Sequence, residues 1–190
     1  MNVKRRAQIR ARARRVHHLV TRYVGSLRAR RLDDATAAWV AATLEPGEQQ
    51  VWEGMGRADR SEAVAVARSF EATGVSSGPH AQEWRAAALL HDAGKQLSGL
   101  GTFGRAMATA LAAGTGRARV RAWAGRRGGC RARVGRYAAH DDLGRDLLRE
   151  AGARPAVVAW AGAHHRPERW EGTGMPFAVC RALADADGEP

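Results

Sequence analysis

Residues 89–95 read LLHDAGK. Two leucines close a long apolar run and lead straight into an imidazole, His91, and a carboxylate, Asp92. A hydrophobic core gains nothing from either side chain. Buried, each costs free energy unless a partner satisfies it. The pair therefore calls for partners elsewhere in the chain, and finding them decides the fold. The stretch AQEWRAAALLHDAG predicts a helix stopped at Gly94.

Outside the first 31 residues the other histidines are His80, His140, His164 and His165, and a late acid, Asp185, follows RALA. Adjacent helical residues point about 100° apart. His91 and Asp92 can thus share an ion lying between them, or serve two neighbouring ions with Asp92 bridging. Either arrangement needs ligands from other helices. Imidazole and carboxylate together suit divalent first-row metals such as Fe, Mn, Co or Zn.

The 190 residues, 45% hydrophobic, suit one compact domain. Alanine and arginine are abundant and Phe and Tyr scarce, which favours an all-α fold. Asp33 or Asp34 caps a helix to about Leu44, and Pro46 opens a segment through Trp52. Asp59 or Ser61 opens the next helix. Others are predicted at about 101–113, 116–124, 130–151 with a bend near His140, 154–165, and Pro176 to Asp185. No alternating strand pattern and no fixed repeat is found. The body reads as a helical bundle over 32–190. No run approaches the roughly 18–20 apolar residues of a membrane span, and no apolar h-region follows the basic N-terminus. Two distant cysteines, Cys130 and Cys180, read as reduced, buried thiols of a cytoplasmic protein.

The net charge of +12 is concentrated in residues 1–31, which hold 11 Lys or Arg and no acid. This N-terminal arm reads first as a solvated basic extension, with a weak nucleic-acid or anionic-surface contact as the alternative. The remainder carries 20 bases against 19 acids. Between Asp92 and Asp141 there is no acid, while ten Lys or Arg fall there, from Lys95 to Arg136. These arginines either gather an anion such as phosphate or face solvent around the loop GRRGGC.

LLHDAGK resembles the signature of the HD superfamily of metal-dependent phosphohydrolases, whose pattern is H…HD…D on an all-α bundle. Its closest-looking branch is the HD-GYP type. AAHDDLG is similar to that branch's HxxxG at His140 and Gly144, and HHRPERWEGTGMP resembles its HHERWDGxGYP box from His164 to Pro176. LADAD resembles the closing Asp segment. The likeness spans about residues 58–187. It implies an HD-type bundle holding one or two divalent ions (Mn, Fe, Co, Ni or Zn). The implied ligands are His91, Asp92 and Asp185 for one ion, with His140, His164 and His165 for a second. It implies Asp92 and Lys95 as catalytic residues, and Lys95 and Arg169 as contacts to a phosphorylated small molecule or nucleotide.

Three departures stand out. The family's first histidine is matched by Glu62, 29 residues before His91. A carboxylate can ligate the same metals, so Glu62 is expected to join His91, Asp92 and Asp185 as a ligand, and Asp59 lies one turn earlier on the same face. Met175 replaces the Tyr of GYP. The chain ends five residues after Asp185, so the basic residues that follow in HD-GYP enzymes are missing and cyclic di-GMP is not carried over. The expected function is metal-dependent hydrolysis of a phosphoester. The alternatives are a catalytically impaired sensor or partner-binding module on the same fold, and a nucleic-acid adaptor working through the arm.

Overall fold

A computed structural model describes residues 31–188. The basic arm over 1–31 lies outside the described residues, save Arg31. All regular structure among the described residues is helical, as the composition predicts.

Helix α1 (Asp34–Thr43) starts where the Asp33 carboxylate accepts a 2.7 Å hydrogen bond from the Thr36 amide. Helix α2 (Pro46–Gly54) has Pro46 in its first turn, and its Glu48 carboxylate accepts from the Glu45 amide at 2.9 Å. Helix α3 (Arg57–Ala72) begins at Gly56, ahead of the expected start at Asp59 or Ser61. Asp59 therefore sits inside the helix and is buried. Its carboxylate accepts the Arg105 guanidinium fork, at 3.0 Å on one arm.

Helix α4 (Ala81–Leu90) is the centre of the molecule. Ala86 through Leu90 have no exposure. It packs against α3 and against helix α9 (Pro155–Ala163). The helix ends at Leu90, not at Gly94. His91 and Asp92 form a turn, and a 3₁₀ segment runs over Ala93–Ser98. Gly94 serves close packing instead of helix termination. A methyl added there would collide with the carbonyl of His140 and the backbone nitrogen of Gly144. The two glycines of HDAGK and HDDLG thus let two backbones cross with no side chain between them.

Helices α5 (Thr102–Thr115), α6 (Arg117–Arg121) and α7 (Gly129–Ala138) follow. The expected helix over 130–151 is broken outright at Ala139, and α8 (His140–Glu150) starts anew. After α9, a second 3₁₀ segment (Pro167–Thr173) leads to α10 (Phe177–Asp187).

Two apolar clusters result. The large one joins residues from Val40 to Ala184, so α1 and α2 share it with the helices that follow. A small one, built on Ala108, Val120, Val134 and Ala138, holds α5, α6 and α7 together. Cys180 is buried as expected, but Cys130 is exposed. No helix among the described residues is long and apolar enough to cross a membrane.

Candidate metal centre

Three histidines are placed by one local device. His91, at the end of α4, sets its Nδ1 2.8 Å from the Ala88 carbonyl. His140, after α7, does the same to Tyr137 at 2.8 Å, and His164, at the end of α9, to Ala161 at 2.9 Å. Each imidazole reaches back to a carbonyl in the last turn of the helix before it. A carbonyl can only accept, so Nδ1 carries a proton, and in the neutral ring Nε2 keeps the lone pair a metal ion needs.

Those Nε2 atoms converge on Asp92. Oδ1 of Asp92 lies 3.1 Å from His140 Nε2 and 3.8 Å from His164 Nε2, while Oδ2 lies 3.4 Å from His91 Nε2 and accepts from Lys95. His165 Nε2 sits 3.2 Å from His140 Nε2. The Nε2 atoms of His91 and His164 are buried without a hydrogen bond. Ligand atoms of Asp92, His140, His164 and His165 all fall within 4.8 Å of one another. An ion bound at about 2.0–2.2 Å spaces its ligands about 3–4.4 Å apart, close to what these residues already offer. Lone pairs gathered this densely in a buried place need positive charge between them, and the donor set is one that suits divalent first-row metals.

The electrostatics divide the imidazoles: His140 and His164 favour the neutral, metal-binding form, whereas His91, without an ion, favours the charged one. Burial alone would push the His91 imidazole down, but the carboxylates of Asp92 and Asp187 outweigh it and hold His91 well above its ordinary value. Burial, with His165 and His91 nearby, drives His164 well below its own. Burial likewise lowers His140, against the pull of Asp92. Asp92 would rise on burial, yet Lys95 and His91 keep it well below the usual carboxylate range.

The structure thus gathers six of the expected site residues: His91, Asp92, Lys95, His140, His164 and His165. Glu62, half-buried on α3, lines one cavity of about 420 Å³ with Asp92, Lys95, His140, His165 and Asp187. Asp59 opens onto the same cavity, but its carboxylate is taken by Arg105. Asp185 is not at the site. It is exposed and held by Arg181 at 3.2 Å. The acid that turns inward is Asp187, 3.5 Å from His91. Residues two apart on a helix point about 200° apart, so only one of the two can face the bundle, and that one is Asp187. Arg169 is also elsewhere. It is half-exposed, 3.9 Å from Asp142, on a separate groove.

The chain matches the HD domain over residues 60–188. It belongs to the HD domain family. No curated protein and no solved structure matches the chain significantly. HD domains are typically metal-dependent phosphohydrolases, and this one carries a buried His/Asp cluster able to hold a metal ion.

The rest of this HD domain supports the cluster. Trp170 is buried, donates from Nε1 to the Ala163 carbonyl at 3.2 Å and packs on Trp160 at 5.9 Å between centroids. It pins the backbone just before His164 and His165. Gly174, at φ +74°, turns the chain back so that Met175 enters the core. The RWEGTGMP stretch is therefore scaffolding for the histidine pair. Asp187→Asn is expected to weaken metal affinity about tenfold or more, and Asp185→Asn to leave it unchanged. Calorimetric metal titration checks this, and equal effects of the two would contradict the inward placement of Asp187.

Proposed function

We propose that this HD domain hydrolyses the phosphoester of a small phosphorylated molecule or nucleotide with the help of one or two divalent ions (Mn, Fe, Co, Ni or Zn). The observation that carries the reading is the convergence of three Nδ1-anchored imidazoles on the two oxygens of Asp92. Asp92, His140, His164 and His165 would hold one ion. His91, Asp92 and Asp187 would hold a second, with Glu62 in the same cavity. A bound ion supplies Lewis-acid polarisation of a phosphoryl oxygen and lowers the pKa of a water.

The chain's own residues do the remainder. Asp92 presents one oxygen to each half of the site. Lys95, ion-paired to Asp92, fixes that carboxylate and sets positive charge at the cavity wall. Arg117 lines the same cavity and is assigned to the substrate phosphate in place of Arg169. The cavity's volume suits a small ligand. The order of motifs supports an HD-GYP-like layout, and the Gly94–Gly144 crossing accounts for two of its glycines. Two unlinked thiols fit a reducing cytoplasm.

The test is elemental analysis of the purified chain, with hydrolysis of p-nitrophenyl phosphate and its bis-ester under each added metal. Bound metal with turnover is expected. Bound metal without turnover of either ester would favour the impaired sensor, and no metal and no turnover would end the hydrolase reading.

A further inference from the structure

Helix α5 has two unlike faces. Thr102, Arg105, Thr109 and Ala112 line the cavity. Phe103, Met107 and Leu111 stand on the other side, 71%, 57% and 39% exposed. Their spacing of four residues makes one ridge along the helix. With Leu97, 40% exposed just before α5, they are four of the five large exposed hydrophobics among the described residues. Apart from Phe177, the exposed large hydrophobics among the described residues thus lie on or just before α5, which is the pattern of a contact surface.

The lobe bearing the ridge is strongly basic. Residues 93–140 contain no acid. Lys95, Arg105 and Arg121 are matched by acids from outside that stretch. Arg117, Arg119, Arg126, Arg127 and Arg131 are exposed, and no carboxylate pairs with them among the described residues. Arg133 and Arg136 donate to the carbonyls of Gly99 and Leu97, which leaves their charge in place.

We propose that this lobe, through the Phe103–Met107–Leu111 ridge and the exposed arginines of α6, α7 and the turn between them, docks the protein on an anionic phospholipid bilayer. Apolar side chains on one side of a helix, flanked by many cations, suit the boundary between acyl chains and acidic headgroups. A second copy is disfavoured, because a two-fold contact through the ridge brings two arginine clusters together. The chain's own N-terminal arm, with 11 bases and no acid, is repelled for the same reason. Nucleic acid would meet the arginines but has little use for exposed Met and Leu, since it rewards planar stacking. Docked this way, α5 lies between the bilayer and the cavity. The inference does not rest on the hydrolase reading.

Co-flotation of the full chain with phosphatidylcholine vesicles and with mixed phosphatidylcholine–phosphatidylglycerol vesicles tests it. Binding to the anionic vesicles is expected, falling with salt and at least about tenfold weaker on neutral ones. Phe103→Ser with Met107→Ser should lower it about tenfold or more, while Phe103→Leu with Met107→Leu keeps it. Arg119→Gln with Arg126→Gln and Arg127→Gln should lower it and flatten its salt dependence. Unchanged binding by the serine pair would overturn the proposal, since charge alone, from the arm included, would then account for it. So would duplex DNA binding that the serine pair weakens equally, or a dimer that the serine pair dissolves.

Discussion

Asp92→Ala is expected to empty the metal centre and to cut phosphoester hydrolysis by about 10³-fold or more, about 4 kcal/mol of transition-state stabilisation. The size of the effect follows from where the carboxylate stands. One oxygen faces His140 and His164, and the other faces His91 and Lys95. It is the carboxylate that joins the two halves, so its loss removes that link. It also removes the carboxylate that pairs with the buried Lys95. Asp92→Asn separates the causes, because it keeps the volume and removes the charge. Elemental analysis reads metal content, and circular dichroism reads the fold. A folded Asp92→Asn protein that retains full metal and full turnover would contradict the assigned role.

Glu48→Ala is expected to remove about 3–5 kcal/mol of folding stability, which for a chain of this size lowers Tm by about 6–20 °C. Glu48 is completely buried. Its carboxylate accepts from Arg154 at Nε (2.9 Å), at Nη2 (2.6 Å) and at the backbone amide (3.1 Å), and from the Glu45 amide. Arg154 also donates to the Thr43 carbonyl at 2.9 Å. The pair clamps the start of α9 to the junction of α1 and α2. Alanine would strand that guanidinium and two backbone amides. Burial alone would raise the Glu48 carboxyl, but the Arg154 and Glu45 donors outweigh it and hold it below its ordinary value. A group depressed in the folded state stabilises fully above its unfolded pKa, about 4.3 for glutamate. That contribution is lost as pH falls through the folded value. Wild type should therefore lose more stability than Glu48→Gln on acidification below about pH 4. Thermal melts across that range check it, and parallel losses would argue against the clamp.

Much of this was legible in the sequence because it is local. An apolar run ending in His91-Asp92 marks a buried helix carrying polar cargo. His140 and the His164-His165 pair likewise follow helix ends, and all four residues meet at Asp92. What escaped depends on rotation or distance. Asp185 and Asp187 are both written into LADAD, and only the packing of α10 decides which turns inward. Gly94 reads as a helix stop, and its true use appears only when Gly144, fifty residues on, lies against it. Asp59 reads as a spare ligand until Arg105 arrives from α5. The Glu48–Arg154 clamp joins residues 106 apart and has no local signature.

The small apolar cluster under α5, α6 and α7 has a consequence of its own. Stability in a folded chain is not uniform, and units with few buried apolar contacts open at a lower cost than the whole. This lobe rests on Ala108, Val120, Val134 and Ala138, whereas α4 and α9 are held by the large core. On that ground the lobe is expected to open at a lower cost than α4 and α9, which seat His91, Asp92 and His164. Since α5 walls the cavity, entry to the cavity would then be set by a local folding equilibrium of this lobe.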